Sequence, residues 1–241
     1  MHEAITTLSG QANLKLRALL QTRRNFTTRE IINLFKSRVL GYIEYRTSAI
    51  YHASNLSQID AILGRLLRTM GITEEESLLE FNLAPLQTRR DIAMLGLIHR
   101  SVIGEGPHQF QKHFIREGLN ARPHGRVAHR QHNKQLVSHR TGKHLDLLSH
   151  SLLGLIDIYN LLPQYIIHAK TVSEFQMRLQ LLVKDIATTK LQGWQEIYSP
   201  RNSLWNNKLK KMHEWCPQMA RTSQDTGRQM YEHATRSLFS F

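Results

Sequence analysis

Apolar residues in the first part of the chain recur at three- and four-residue intervals, which is the period of an amphipathic helix. A leucine-rich stretch comes first, and a stronger stripe follows Thr27 and Glu30, whose spacing is that of a capping box. The apolar residues of the two stripes are Leu8, Leu14, Leu16, Leu19 and Leu20, then Ile31, Leu34, Phe35, Val39, Tyr42 and Ile43. The pattern predicts two helices at the start of the chain.

The same period continues between Ser57 and Gly71, where Ser57 and Asp60 suit the start of a helix and Gly71 suits its left-handed end. Thr73 and Glu76 repeat the capping-box spacing and predict a short fourth helix. The residues expected to face inward are Ile59, Ile62, Leu63, Leu66, Leu67 and Met70 in the third helix, and Leu78, Leu79 and Phe81 in the fourth.

Pro85 and Gly104 bracket a fifth predicted helix, and Pro107 with Phe110 indicates one further turn. No segment alternates apolar and polar residues with a strand-type composition. The pattern therefore predicts an all-α fold with a helical bundle over residues 1–115.

Beyond this bundle the composition changes. Residues 116–145 are rich in His and Arg, poor in apolar residues, and interrupted by Pro and Gly, which predicts a basic flexible linker. Residues 146–195 return to an apolar helical pattern and predict a smaller C-terminal helical module. Residues 196–241 lose the pattern, and we expect a weakly ordered tail there.

The charge balance then narrows the choice of partner. Lys and Arg number 32 against 19 Asp and Glu, giving a net charge of +13 with His neutral. Such an excess favours a polyanionic partner, above all RNA or DNA. The single cysteine, Cys216, excludes an internal disulfide framework. No apolar run approaches the roughly 20 residues of a membrane span, and no signal-peptide pattern occurs, so we expect an intracellular protein of the nucleus or cytoplasm that is neither secreted nor membrane-bound.

Catalytic patterns are missing from the sequence. The aspartates are scattered, no glycine-rich phosphate loop is followed by lysine, and no serine or cysteine has a nucleophile context. Histidines spaced five apart, such as His124 and His129, suggest a zinc site as an alternative, but that spacing separates two side chains by about 140° on a helix. We interpret these histidines as part of a solvated linker and expect no enzyme activity, no metal and no cofactor.

The basic residues that accompany the predicted helices are the candidate functional residues. Clustered Arg and Lys neutralise phosphates and release counterions whatever the nucleotide sequence. The alternative is that these side chains only form solvated helix faces. The candidate nucleic-acid-binding residues are Arg23, Arg24, Lys36, Arg38, Arg65, Arg68, Arg89 and Arg90.

Four segments in order resemble the region that follows the polymerase core in reverse transcriptases of non-LTR (LINE-type) retrotransposons. Residues 34–45 resemble that family's "LYKS-x-V-x-P-x-(L/I)-EY" stretch, and residues 59–71 its arginine-bearing helix that ends in glycine. Residues 84–90 are similar to its "APL-x-x-RR" step. Residues 159–166, followed by Ser173, Phe175 and Leu179, resemble its "(W/Y)-N-x-LP-x-x-(I/V)" segment and the helix after it.

The resemblance implies the thumb and C-terminal region of an RNA-directed DNA polymerase, with residues 1–115 as the thumb-like domain. The catalytic palm with its Tyr/Phe-x-Asp-Asp motif does not occur in this sequence, so we expect template–primer binding without catalysis. The expected partners are an RNA or DNA duplex held through its phosphates and the missing palm domain. Two alternatives remain open: a helical protein–protein interaction module, and a decayed element fragment without function.

Overall fold

A computed structural model of the protein describes residues 2–116, 132–138, 150–201 and 209. Most of these residues lie in helices, and none of them forms a β-strand; Arg116 and Leu136 form an isolated antiparallel bridge. The predicted all-α fold class is thereby confirmed. Within the described residues, no helix is both long enough and apolar enough to cross a membrane.

The helices follow the chain in an order close to the predicted one. They are α1 (His2–Gln21), α2 (Thr28–Phe35), α3 (Gly41–Glu44), α4 (Thr47–Ile50), α5 (Ser57–Met70), α6 (Glu74–Phe81), α7 (Leu86–Val102), α8 (His108–Gln111), α9 (Leu155–Leu161), α10 (Gln164–Ile167) and α11 (Val172–Thr188). A π-helical turn (Lys36–Leu40) joins α2 to α3, and 3₁₀ turns cover Arg23–Asn25, Leu152–Gly154 and Trp194–Glu196.

Capping boxes and a helix-ending glycine in the sequence predict most of these helix ends correctly. Thr27 with Glu30, and Thr73 with Glu76, form complete capping boxes at the starts of α2 and α6. Gly71 ends α5 in the left-handed conformation at φ +67°. Two expected core residues are instead exposed, because Leu14 and Leu79 lie on the outer faces of their helices.

The N-terminal core is formed mainly by α1, α2, the π-helical turn, α3 and α5. Helix α1 packs along α5 and also contacts α2 and the π-helical turn. Apolar side chains fill this core almost completely, and Ser9 is the only buried polar residue that α1 to α5 contribute among the described residues. The residues at its centre are Ile5, Leu8, Ile31, Phe35, Ile59, Ile62 and Leu66.

The second core combines helices that the sequence assigned to different domains. Helix α7 packs against α11, and α9 also contacts α7. The boundary expected near residue 115 therefore separates two helices that share one core, and the structure corrects it. The sequence could not show this, because a buried face of α7 has the same pattern whichever helix covers it.

Parts of the expected linker and tail also belong to the second core. His132 and Leu136 are buried, although residues 116–145 were predicted to be an exposed linker. Ile197, Tyr198 and Leu209 are buried as well, which corrects the expectation of a weakly ordered tail for those positions. The other residues of the predicted linker and tail lie largely outside the described residues.

Candidate nucleic-acid interface

Helices α1 and α5 run side by side in the same direction, and this brings their basic residues together. The Ser9 hydroxyl donates to the Gln58 carbonyl at 3.3 Å, and one helical turn further on Arg65 donates to the side-chain oxygen of Asn13. Arg17 on α1 and Arg68 on α5 lie beyond these contacts, near the ends of the two helices. The chain then continues from α1 into Arg23 and Arg24.

All five of these cations are exposed. We call them the α1–α5 basic surface, which consists of Arg17, Arg23, Arg24, Arg65 and Arg68. Within the part of the chain that the structure describes, none of the five forms an ion pair. The sequence carries no Asp or Glu from residue 4 to 29 or from residue 61 to 73, so the local potential is positive.

A second group of cations lies around Lys36, which contacts Phe81 at the end of α6. Lys36 donates from Nζ to the Phe81 carbonyl, and the Arg29 guanidinium lies 5.6 Å from the centre of the Phe81 ring. Burial lowers the pKa of Lys36, and the nearby charges of Arg89, Lys184 and Arg29 lower it further. We call these four residues, Arg29, Lys36, Arg89 and Lys184, the Phe81 cation cluster.

Arg89 and Arg90, adjacent in the sequence, have opposite environments. Arg89 is partly exposed and pairs with Glu44 at 2.5 Å. Arg90 is 3% exposed and makes a bidentate ion pair with Asp60, at 2.6 and 2.8 Å. Arg90 is a candidate nucleic-acid-binding residue in the sequence, but its burial leaves it no access to a phosphate; its ion pair joins α7 to α5 instead.

The remaining candidate, Arg38, lies in the π-helical turn and is exposed. It belongs to neither of the two groups. The structure thus brings together Arg23, Arg24, Arg65 and Arg68, places Lys36 and Arg89 in a second group, and separates Arg38 and Arg90 from both.

Buried titratable groups elsewhere in the described chain have structural partners. His99 contacts the Tyr159 hydroxyl and the Ala169 carbonyl, each at 3.1 Å, and burial lowers its pKa to about 4. His132 contacts the Tyr159 carbonyl at 3.0 Å, and burial lowers its pKa to about 4 as well. Asp91 accepts from the Tyr51 hydroxyl at 2.8 Å, and burial raises its pKa to about 7. No three His, Cys, Asp or Glu residues among those described are grouped so that they could hold a metal ion.

Three cations of these surfaces were not singled out from the sequence: Arg17, Arg29 and Lys184. The acid-free stretch from residue 4 to 29 was a usable signal for the first two. No sequence signal identifies Lys184, because only the packing of α11 brings it near Lys36.

No known protein family, curated protein or solved structure matches this chain.

Proposed function

We propose that the protein binds nucleic acid through the α1–α5 basic surface, without catalysing a reaction itself. The observation that carries this proposal is the set of five exposed arginines at the ends of two parallel helices, with no acidic residue in the sequence segments around them. Such an arrangement costs folding stability through like-charge repulsion, and phosphates would relieve that repulsion.

Arginine side chains favour phosphate binding over a role in which the charge only keeps the protein soluble. Its guanidinium donates two parallel hydrogen bonds to a phosphate, and all five cations of this surface are arginines. The Arg65 side chain is also held in place by Asn13, so less side-chain entropy is lost when it meets a phosphate.

The Phe81 cation cluster supports the same proposal. Burial is the main cause of the lowered pKa of Lys36, and three neighbouring cations lower it further, so this half-buried lysine lies in a positive field that an anion would relieve. Because Arg29 follows the Arg23–Asn25 turn by four residues, this cluster extends the positive region from the end of α1 towards α6.

We further propose that the chain corresponds to the thumb and C-terminal region of a LINE-type retrotransposon reverse transcriptase, and that its ligand is a template–primer duplex. The four motif segments in family order support this proposal. The segments lie on α2–α3, α5, the start of α7, and α9–α11. The palm domain of the same polymerase would be the protein partner.

A salt titration tests the binding proposal. The full chain and a labelled RNA–DNA duplex are mixed at several salt concentrations, and binding is followed by fluorescence anisotropy. We expect log K to fall linearly with log salt, and the variant R23Q/R24Q/R65Q/R68Q to lower the slope by about 3 to 4 if each arginine neutralises one phosphate.

A matched control removes the same charge elsewhere. R100Q/K112Q/K170Q/K190Q deletes four exposed cations outside the α1–α5 basic surface. If both variants change the slope equally, the attraction is due to net charge and the assigned surface is wrong. If the chain binds no duplex but captures a purified palm domain, it is a protein-interaction module instead.

A further inference from the structure

Tyr45 follows directly after α3 and is 88% exposed, more than any other large hydrophobic side chain among the described residues. An aromatic ring this exposed gains little stability from the fold, because almost none of its apolar area is removed from water. Its flat faces remain accessible to a partner.

Tyr42, three residues earlier, is surrounded by cations. The Lys15 ammonium lies 5.2 Å and the Arg46 guanidinium 4.9 Å from the centre of its ring. Arg46 also donates to the Tyr42 hydroxyl at 2.9 Å, and that hydroxyl contacts Gln11 on α1. These contacts fix two cations against the ring of Tyr42, three residues before Tyr45 in the sequence.

Arg38 and Gly41 continue the same stripe, since positions 38, 41, 42 and 45 follow at three- and four-residue intervals. Gly41 is exposed and helical, and a Cβ there would meet only the Lys36 carbonyl, at 3.8 Å. Packing therefore does not require glycine at this position. Because glycine has no side chain, a partner can approach the backbone of Gly41 between Arg38 and Tyr45.

The charges around this stripe favour an anionic partner. Its cations are Lys15, Arg38 and Arg46, while the nearest acid in the sequence, Glu44, is paired with Arg89. Glu3 lines a groove together with Arg46, so one acid lies at the Arg46 end of the stripe.

From this geometry we infer that the stripe formed by Lys15, Arg38, Tyr42, Tyr45 and Arg46 is a binding site for single-stranded nucleic acid. A base stacks on the Tyr45 ring, and Arg38 and Arg46 contact the flanking phosphates. The strand must be single, because a base inside a duplex is already stacked on both faces. This site rests on the proposed nucleic-acid binding and adds a single-strand specificity that the α1–α5 basic surface does not require.

Tyr45→Ala tests the stacking contact in the full chain. We expect the variant to bind a labelled oligo(U) strand about 5- to 100-fold more weakly, as truncation of a base-stacking aromatic does. Tyr45→Phe keeps the ring and should retain affinity. The salt slope of Tyr45→Ala should equal that of the unmodified chain, because tyrosine neutralises no phosphate.

The matched variant R38Q/R46Q should instead reduce the salt slope on oligo(U) by about 1.4, because each phosphate contact on a single strand contributes about 0.7. An RNA–DNA duplex serves as the second probe, and its affinity should not change in Tyr45→Ala. Circular dichroism of each variant checks that the fold is intact, which the exposure of Tyr45 leads us to expect.

The outcomes separate this inference from the broader proposal. If Tyr45→Ala binds oligo(U) as tightly as the unmodified chain, or weakens the duplex equally, the stacking site is refuted while duplex binding stands. If R23Q/R24Q/R65Q/R68Q leaves the salt slope on duplex unchanged but Tyr45→Ala weakens oligo(U), the stripe binds nucleic acid and the α1–α5 basic surface does not. If neither probe binds, both proposals fail.

Discussion

The two cores of this protein differ in how many polar side chains they bury. The N-terminal core is almost purely aliphatic, with Ser9 as its one buried polar contribution from the described parts of α1 to α5. The second core encloses His99, His132 and Asp91 together with its apolar residues. An apolar core is stabilised by the area it removes from water, whereas a core with buried polar groups also depends on each group finding a partner.

The histidines of the second core illustrate that dependence. The Ala169 carbonyl can only accept, so the His99 Nε2 carries the proton, and Nδ1 accepts from the Tyr159 hydroxyl. The Lys134 amide donates to the His132 Nδ1, so Nε2 of that ring donates to the Tyr159 carbonyl. Both rings are thus held neutral around one tyrosine, and the second core should respond to pH while the first does not.

The largest expected effect concerns the ion pair that joins the two cores. Asp60→Ala leaves the Arg90 guanidinium buried without a partner, which should lower the free energy of unfolding by about 3–5 kcal/mol. Glu44→Ala is the matched control, because it removes the partner of the more exposed Arg89 and should cost less than about 1 kcal/mol. Urea unfolding of both variants measures the difference. Equal losses would show that Arg90 gains no more from its pair than Arg89 does.

The next effect is the pH dependence of the second core. Unfolded histidine titrates near pH 6.5, and the folded pKa of His99 and His132 is about 4. The unfolded state therefore binds more protons between these values, and stability falls as pH decreases from about 6.5 to 4, by at most roughly 3 kcal/mol per histidine. Urea unfolding at pH 7 and at pH 4 should show that His132→Gln loses less stability than the unmodified chain does, by up to roughly 3 kcal/mol. An unchanged slope would contradict the buried, neutral state of His132.

Asp91 should act in the opposite direction. Its folded pKa of about 7 lies above the value of 3.8 for a free carboxyl, so its contribution to stability falls as pH rises from about 4 to 7. Asp91→Asn removes the charge and should stabilise the protein by up to about 4 kcal/mol at pH 8, with little change at pH 4. Unfolding of the variant at both values measures this. A loss of stability at pH 8 would show that the carboxylate gains more from Arg90 and Arg201 than burial costs it.

The smallest expected changes in the free energy of unfolding come from replacing one glycine in each region by alanine. Gly10 on α1 has open space where a Cβ would stand, so Gly10→Ala should stabilise the protein by about 0.5–1 kcal/mol through its helix propensity. Gly96 on α7 faces α11, and a Cβ there would lie 2.4 Å from Nε2 of Gln176. Gly96→Ala should therefore destabilise by about 1 kcal/mol.

Thermal unfolding gives the sign of each change. The double variant Gly96→Ala with Gln176→Ala should recover most of the loss, because the blocking side chain is gone. If Gly96→Ala stabilises as much as Gly10→Ala does, the close approach of α7 and α11 is not tight at this point.

The sequence by itself determined the all-α class and most helix ends in the first 115 residues. Capping boxes, a left-handed glycine and a helical apolar period act within a few residues of each other, so their consequences can be predicted locally. Thr27 with Glu30 and Gly71 behave in the structure as their spacing predicted. Five of the candidate cations are exposed, namely Arg23, Arg24, Arg38, Arg65 and Arg68.

Only the tertiary structure decided which polar residues are buried. Arg89 and Arg90 are neighbours in the sequence, yet successive side chains on a helix point about 100° apart, and one of them meets Asp60 from a distant helix. Nothing nearby in the sequence identifies Tyr159 as the partner of His132, so the sequence predicts a solvated linker at that position. Local patterns specify which residues could be buried; the contacts between distant segments determine which polar groups find the partners that make their burial stable.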